Sequence, residues 1–182
     1  MDLAKLKNPI VREFVKFVIE NTGKDYKQYS QYFSGHFILD NAIFFRVNDD
    51  PNIGGVNGYT KNAIFTNCIF TNNVNVNCDL LILIDCKIQA SLNTTGDLLV
   101  ITNKTIENVS SEGDMVIMSN GYSRINAGAL LWFLSLSPNL NISNISAPNG
   151  KIRYHGFNSV NVGENVGNGN VEFIGCKEVN VV

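Results

Sequence analysis

Three aspartates, Asp79, Asp97 and Asp114, recur at nearly equal intervals along the chain, and each opens an apolar run. In a chain that stacks on itself at that period their carboxylates would sit roughly 5 Å apart. Carboxylates so close raise one another's pKa, and they can hold a cation or bind sugar hydroxyls. Each also stands beside a Gly or Cys at a bend, where Asp is a common turn residue, and that structural role is the expected one. A second acidic group, Asp49 and Asp50 with Asn52, lies in RVNDDPNIGGVNGY at 46–59. A loop of this composition offers similar ligands to calcium or to a glycan. Just upstream, Tyr26, Tyr29, Tyr32 and Phe33 are spaced for an aromatic sugar platform or, more simply, for one packed helical turn.

Nucleophilic and metal chemistry find no comparable set. The histidines are His36 and His155, and neither adjoins Ser or Cys in a nucleophile motif. No GxSxG, Walker loop or GxGxxG occurs, and the Gly-rich GENVGNGN at 163–170 is expected to connect coils. Cys68, Cys78, Cys86 and Cys176 lack CxxC spacing, which argues against zinc. Cys68 and Cys86, separated by the same interval as the aspartates, would fall within disulfide reach if stacked. Free thiols are nevertheless expected in a reducing compartment. No catalytic residue, metal or cofactor is assigned, and Asp49, Asp50, Asp79, Asp97 and Asp114 stand as the ligand-binding candidates.

The elements that would position these residues repeat. GDLLVITN at 96–103 and GDMVIMSN at 113–120 share a frame of Gly-x-φ-x-φ-x-small-Asn, where φ is apolar. CDLLILID at 78–85 obeys it with Cys and Asp at the ends, and TKNAIFTN at 60–67 keeps its second half. GKIRYHGF at 150–157, GNVEFIGC at 169–176 and GHFILDNA at 35–42 also fit. After position 35 the starts fall at 60, 78, 96, 113, 150 and 169, and the long gap before 150 is a double one that holds AGALLWFLSLSPNLNISNIS. A period of about 17–19 residues is too short for paired helices and suits one coil of a parallel β-helix. The fold expected is all-β, a parallel solenoid of about seven to eight coils, roughly 35–40 Å long at about 4.8 Å per coil. Asparagine, 27 of 182 residues, is suited to the many bends this requires, and Asn67, Asp85, Asn103 and Asn120 would stack along one corner. The chain accordingly divides into an N-terminal helix and cap segment, 1–34, and a solenoid, 35–182, interrupted by the insertion at 46–59.

Coils of this length with a stacked Asn corner resemble the single-stranded right-handed β-helix of the pectate-lyase-like superfamily, over about residues 60–182. The coil length also resembles that of bactofilins, small β-helical cytoskeletal proteins. The resemblance implies a parallel solenoid. Its polysaccharide-acting members would need a calcium-binding carboxylate cluster with a basic residue, or paired carboxylates, and no Arg or Lys column adjoins the aspartates here.

Alternation assigns the faces. Third and fifth frame positions should point inward: Leu80 and Ile82, Leu98 and Val100, Met115 and Ile117, Ile152 and Tyr154, Val171 and Phe173. The outward positions are charged in the last coils, Arg153 and Glu172, but apolar in the middle ones. Leu81, Leu83, Leu99, Ile101, Val116 and Met118 thus form an outer stripe, joined by Leu131 and Phe133. Such a stripe exceeds what a soluble monomer leaves bare and is the predicted interface. The cover within the chain would be a helix from Pro9 to about Asn21, capped by Asn8. It can close the first coil, the expected placement, or lie along the stripe.

Composition bounds the rest. Hydrophobic content of 45% with 16% charged residues indicates one ordered domain, and a net charge of −2 gives no footprint for nucleic acid. Charges break the N-terminal apolar run, so neither a signal peptide nor a membrane span is expected, and the location expected is cytoplasm or virion. The strand pattern runs on to KEVNVV, which leaves an open last coil suited to pairing. A homo-oligomer is predicted, a dimer through C-terminal coils or the outer stripe, or a larger assembly. The function expected is a non-enzymatic structural or interaction module, such as a virion, appendage or scaffold component. The alternative is a glycan-binding or glycan-cleaving β-helix.

Overall fold

The structure, a computed structural model, describes residues 3–21, 27–29, 42–46, 52–53, 59–66, 69–70, 73–135, 139–146, 151–155, 157, 159–162, 170–174 and 176–181. It is a parallel β-solenoid preceded by a helix. One face is a sheet of β1 (Ala42–Arg46), β3 (Tyr59–Thr66), the second half of β5 (Val74–Ile84), β8 (Asp97–Ile101), β10 (Met115–Ser119), β12 (Leu131–Ser135), β14 (Lys151–His155) and β16 (Asn170–Ile174). The opposing face takes the first half of β5, then β7 (Leu92–Thr94), β9 (Thr105–Ser111), β11 (Gly121–Ala127), β13 (Asn139–Ser146), β15 (Ser159–Val162) and β17 (Glu178–Val181). A short third side is formed by β2 (Asn52–Ile53), β4 (Ile69–Phe70) and β6 (Lys87–Ile88). The 46–59 segment, read as an insertion, therefore supplies β2 as the first rung of that third side.

Register fixes which side chains meet. Ala63, Leu81, Leu98, Met115, Leu131 and Ile152 stack in one inward column, and Phe65, Leu83, Val100, Ile117, Phe133 and Tyr154 in the next. All twelve belong to the core enclosed by the coils, together with Val74, Leu92, Val109 and Ile125 from the opposing sheet. Aromatic rings in the second column stack at the strand spacing: Phe133 on Tyr154 at 5.1 Å and 4°, Tyr154 on Phe173 at 5.2 Å and 16°.

The outward column between them reads Ile64, Ile82, Leu99, Val116, Trp132, Arg153, Glu172. It builds a second, separate core. Leu80, Ile82, Ile84, Leu99, Ile101, Val116, Met118, Leu130, Trp132 and Leu134 cluster there with Leu6, Val11, Phe14, Val15, Val18 and Tyr29 of the N-terminal segment. The helix α1 (Pro9–Glu20) has Asn8 as its cap, whose side chain accepts from the Ile10 and Val11 N–H groups at 2.9 and 3.4 Å, and Pro9 fills the first turn. Its end is tied by the Asn21 amide, which donates to the Phe17 carbonyl at 2.9 Å. The Arg12 guanidinium donates to the Leu6 carbonyl at 2.7 Å and fastens the preceding turn, Leu3–Lys5, to the helix. Tyr29 sets its ring edge-on to Phe17 and donates its hydroxyl to the Asn21 carbonyl at 2.7 Å. The helix therefore lies along the outer stripe, where the sequence pattern favoured its closing the first coil.

Two face assignments are corrected. Leu81 and Leu83 point into the coil, while Leu80 and Ile82, expected inside, lie under the helix. Leu131 and Phe133, expected outside, are core, and Leu130, Trp132 and Leu134 take the outer positions. The cause is a change of phase at a corner. Along β5, Cys78 is inward, Asp79 exposed, Leu80 outward and Leu81 inward, so two consecutive residues face out where the strand passes from one sheet to the other. A slip of one residue turns every following side chain over. The doubled interval likewise resolves into unequal steps, Met115 to Leu131 and Leu131 to Ile152.

Burying a large apolar side chain contributes about 1.5–3 kcal/mol, and Phe14 and Val15 are fully buried on the inner face of the helix. Phe14→Ala is expected to lower stability by about 3–5 kcal/mol. Because Trp132 is the single tryptophan and belongs to the same cluster, its fluorescence should follow the loss in chemical denaturation. The exposed Glu13→Ala should stay within about 0.5 kcal/mol of the parent.

Candidate functional site

The aspartate column sits at the corner where the helix-covered sheet begins. Asp97 Oδ1 accepts from the Asp114 N–H at 2.8 Å, and Asp114 Oδ1 accepts from the Leu130 N–H at 3.0 Å. Each side chain thus fastens its coil to the next through a backbone donor at the bend. The adjoining glycines are required by close approach. A Cβ on Gly96 would collide with the Cys78 and Asp79 carbonyls, one on Gly113 with Asp97 Oδ1, and one on Gly128 with the Glu112 carbonyl. Burial pushes the Asp97 carboxyl above its usual range. The Asp114 N–H pulls it back, the Asp114 and Asp79 carboxylates push it further up, and Lys7 draws it down. Asp114 is buried and Asp79 exposed. Asp49 and Asp50 lie outside the described residues, as do Asn67 and Cys68 and the side chains of His36, Asn52 and His155. Among the described residues no three His, Cys, Asp or Glu side chains gather to hold a metal ion.

The opposite end of the same sheet departs from a uniform Asn column. Asp85 has φ 54° and is one of three non-glycine residues with positive φ among those described, with Asn108 and Arg124. Its N–H donates to the Ile101 carbonyl, which aligns it with Thr102 and not with Asn103. Asn103 and Asn120 do stack, the Asn120 amide donating to the Asn103 carbonyl. One Asp85 carboxylate oxygen is buried without a hydrogen-bond partner. Burial raises its pKa, against the smaller opposing pull of Lys104 and Lys27. Thiols end their strands in a recurrent way: Cys86 donates to the Phe65 carbonyl at 3.3 Å, and Cys176 to the Tyr154 carbonyl at 3.5 Å. Burial pushes the Cys78 thiol upward in pKa.

Of the predicted interface, Leu99, Ile101, Val116 and Met118 occupy the outer stripe and Leu81 and Leu83 the inner core, and all six are fully buried within the single chain. The stripe is not available to a partner while the helix covers it. Its polar boundary was missed in the sequence. Arg153, expected in solvent, is 3% exposed. It lies 4.8 Å from the centre of the Trp132 ring and pairs with Glu172 at 2.8 Å. The only mark of this was the outward column turning from apolar to Arg and Glu.

Two further surfaces stand out. On the opposing sheet, the exposed Asn73, Asn75 and Asn77 pair with the coil above: Asn73 Oδ1 accepts from Ser91 Oγ at 2.9 Å, Asn75 Oδ1 from the Asn93 amide at 3.2 Å, and Asn77 Oδ1 from Thr95 Oγ1 at 2.8 Å. A groove of about 330 Å³ runs over Asn75, Asn77, Asn93, Thr95 and Glu112. The VNVN run, answered one coil later by LNTT, was the available sign. At the last coil, Phe173 and Val179 are 37% and 38% exposed, and they are the exposed large hydrophobics among the described residues. Tyr29, considered for a sugar platform, is buried in the cover, and Tyr26, Tyr32 and Phe33 lie outside the described residues. No helix among the described residues is long and apolar enough to cross a membrane.

Asp114→Ala would leave the buried Leu130 N–H without an acceptor, an expected loss of about 1–3 kcal/mol in urea unfolding. If the column is purely structural, adding millimolar calcium should leave the melting temperature of the parent protein unchanged. Asp85→Asn keeps a residue that tolerates positive φ and removes the buried charge. The folded-state pKa of Asp85 is raised, so its ionisation weakens the fold as pH rises through that pKa. The variant should therefore melt higher than the parent at pH 7, and the gap should close on acidification below the ordinary Asp range.

No protein family model, curated protein or solved structure matches this chain, so its likeness to pectate-lyase-like β-helices and bactofilins rests on the parallel solenoid architecture alone.

Proposed function

We propose that the protein is a structural or interaction module that acts through surfaces and not through turnover, joining a larger assembly at its last coil. The observation that carries this reading is the exposure of Phe173 and Val179. Both occupy inward register positions, Phe173 stacked on Tyr154 and Val179 on Val160, where earlier coils are roofed by the coil that follows. Within the described pairing β16 bonds to β14 and β17 to β15, and the edge of a parallel sheet is where a further strand can add. A second copy meeting the same edge closes as a two-fold dimer. Sedimentation equilibrium should show concentration-dependent self-association, and Phe173→Glu should abolish it while the far-UV β signal persists. A stable monomer at high concentration would overturn this reading.

The polar groove favours a second reading, a glycan-binding solenoid. Asn93 stacks one coil from Asn75, and Asn77, Thr95 and Glu112 follow one another in the neighbouring column, so polar groups recur at about the strand spacing in two files, a pattern suited to hydroxyl-rich chains. Binding on a glycan array that is lost in Asn93→Ala, without reducing-end release, would favour it.

A further inference from the structure

We infer that the polar groove is one end of a longer track that runs along the solenoid axis and takes an uncharged, extended β-linked glycan, an inference that rests on the glycan-binding reading of that groove. Register extends the groove. Asn75 pairs with Asn93, Asn93 with Ser110 and Ser110 with Asn126, so four successive coils place a short uncharged hydrogen-bonding residue at one position. Ser146 holds the next register position in line. Asn75, Asn93 and Asn126 are exposed and Ser110 is half-buried, and Ser110 and Asn126 lie beyond the lining of the groove. Four rungs span about 14 Å at the strand spacing. Beside the first three, Asn77, Thr95 and Glu112 form a second exposed file, about 6.6 Å away along the strands. Behind the rungs, Val74, Leu92, Val109 and Ile125 are packed into the coil core, so the polar groups are held in place before a ligand arrives.

The ladder leaves these groups with capacity to spare. The bond from the Asn93 amide to Asn75 Oδ1 uses one donor and one acceptor site, and each amide keeps further donor and acceptor capacity toward solvent. A pyranose ring in an extended β-linked chain advances by close to the strand spacing, so successive hydroxyls meet successive coils. A coiling α-linked chain would leave a straight file after a ring or two. Glu112 and Arg124 bracket the neutral file with opposite charges, which gives a polyanion no cationic stripe to follow. Arg124 marks the far end. Asn108 and Arg124 take the same place in successive coils, between the register pairs Glu107–Ser123 and Val109–Ile125, with φ 57° and 54°. Left-handed backbone suits Asn and strains Arg. Arg124 is exposed, stands two residues before Asn126, and is engaged by no ion pair among the described residues. Strain kept without a local partner points to use of the side chain, and a guanidinium beside the last rung can donate to ring hydroxyls.

The test is calorimetric titration of the full chain with β-1,4-linked oligomers of glucose, mannose, xylose and N-acetylglucosamine, from dimer to hexamer. α-1,4-Linked glucose oligomers and β-1,4-linked oligouronates are the counter-probes. Affinity for at least one neutral β-linked series should rise by roughly two- to tenfold per ring up to the tetramer or pentamer and then level off. Asn126→Ala should remove the gain from the last rings, with dimer affinity and melting temperature unchanged. Arg124→Asn, which copies the coil below, should raise the melting temperature and weaken binding of the longer oligomers, a pairing that strain relief alone would not produce. An affinity that levels off at the dimer, indifference to Asn126→Ala, or equal binding of the α-linked or acidic series would overturn the track, even where the groove itself still bound glycan through Asn93. Silence from every series would overturn the track and the glycan-binding reading together.

Discussion

Parallel strands stacked in register set each side chain about 4.8 Å above its counterpart in the coil below. Everything else in this molecule follows from having to live with that spacing. Apolar side chains stack without penalty, so the inward columns are continuous runs of Leu, Ile, Val and Phe. Aromatic rings accept it by lying flat on one another, as Phe133, Tyr154 and Phe173 do. Polar groups look for a donor or acceptor within the stack, and one oxygen of Asp85 is an exception. The Asn and Thr side chains of the opposing sheet do so by bonding to their neighbours one coil away. The aspartates of the corner avoid facing one another by turning to the backbone N–H of the next coil.

The same spacing explains why the molecule has two cores. A column continuous on the outside as well as the inside leaves a sheet apolar on both surfaces, which is ordinarily found only where helices pack on a parallel sheet. Here one helix suffices because the apolar stretch is short. It ends where Trp132 gives way to Arg153, whose guanidinium packs on the indole while its charge is met by Glu172. A buried cation over a ring and beside a carboxylate is a compact way to end an apolar column, since it shields the last apolar rung and leaves a polar one beyond it.

Much of this was legible beforehand. The repeat period, the Gly-Asp corner and the capped helix are written in local residue types, and they specify coil, bend and helix with no knowledge of what packs against them. The inner columns through β8 and β10 also followed from alternation. What the pattern could not yield was phase in LLILI and LLWFL, where every residue is apolar and no polar neighbour marks the outside. Phase there is set by the corner, where Asp79 and Leu80 both face outward, and by the unequal length of successive coils. Helix placement was hidden for a related reason. A broad apolar face on α1 is equally suited to the end of a solenoid and to its side, and only the burial of Leu99, Val116 and Trp132 distinguishes the two.

The glycines at the corners bear on how such a chain could change over generations. Gly96 is confined by the carbonyls of Cys78 and Asp79 in the preceding coil, and Gly113 by the carboxylate of Asp97. The constraint on each therefore comes from the coil before it, so a coil is not an independent unit of inheritance. A duplicated coil fits at this corner only if it brings the small residue that clears its predecessor. Lineages of this fold would then lengthen or shorten by whole turns cut at the Gly-Asp corner. Drift within a turn would stay confined to the faces where no neighbouring backbone intrudes.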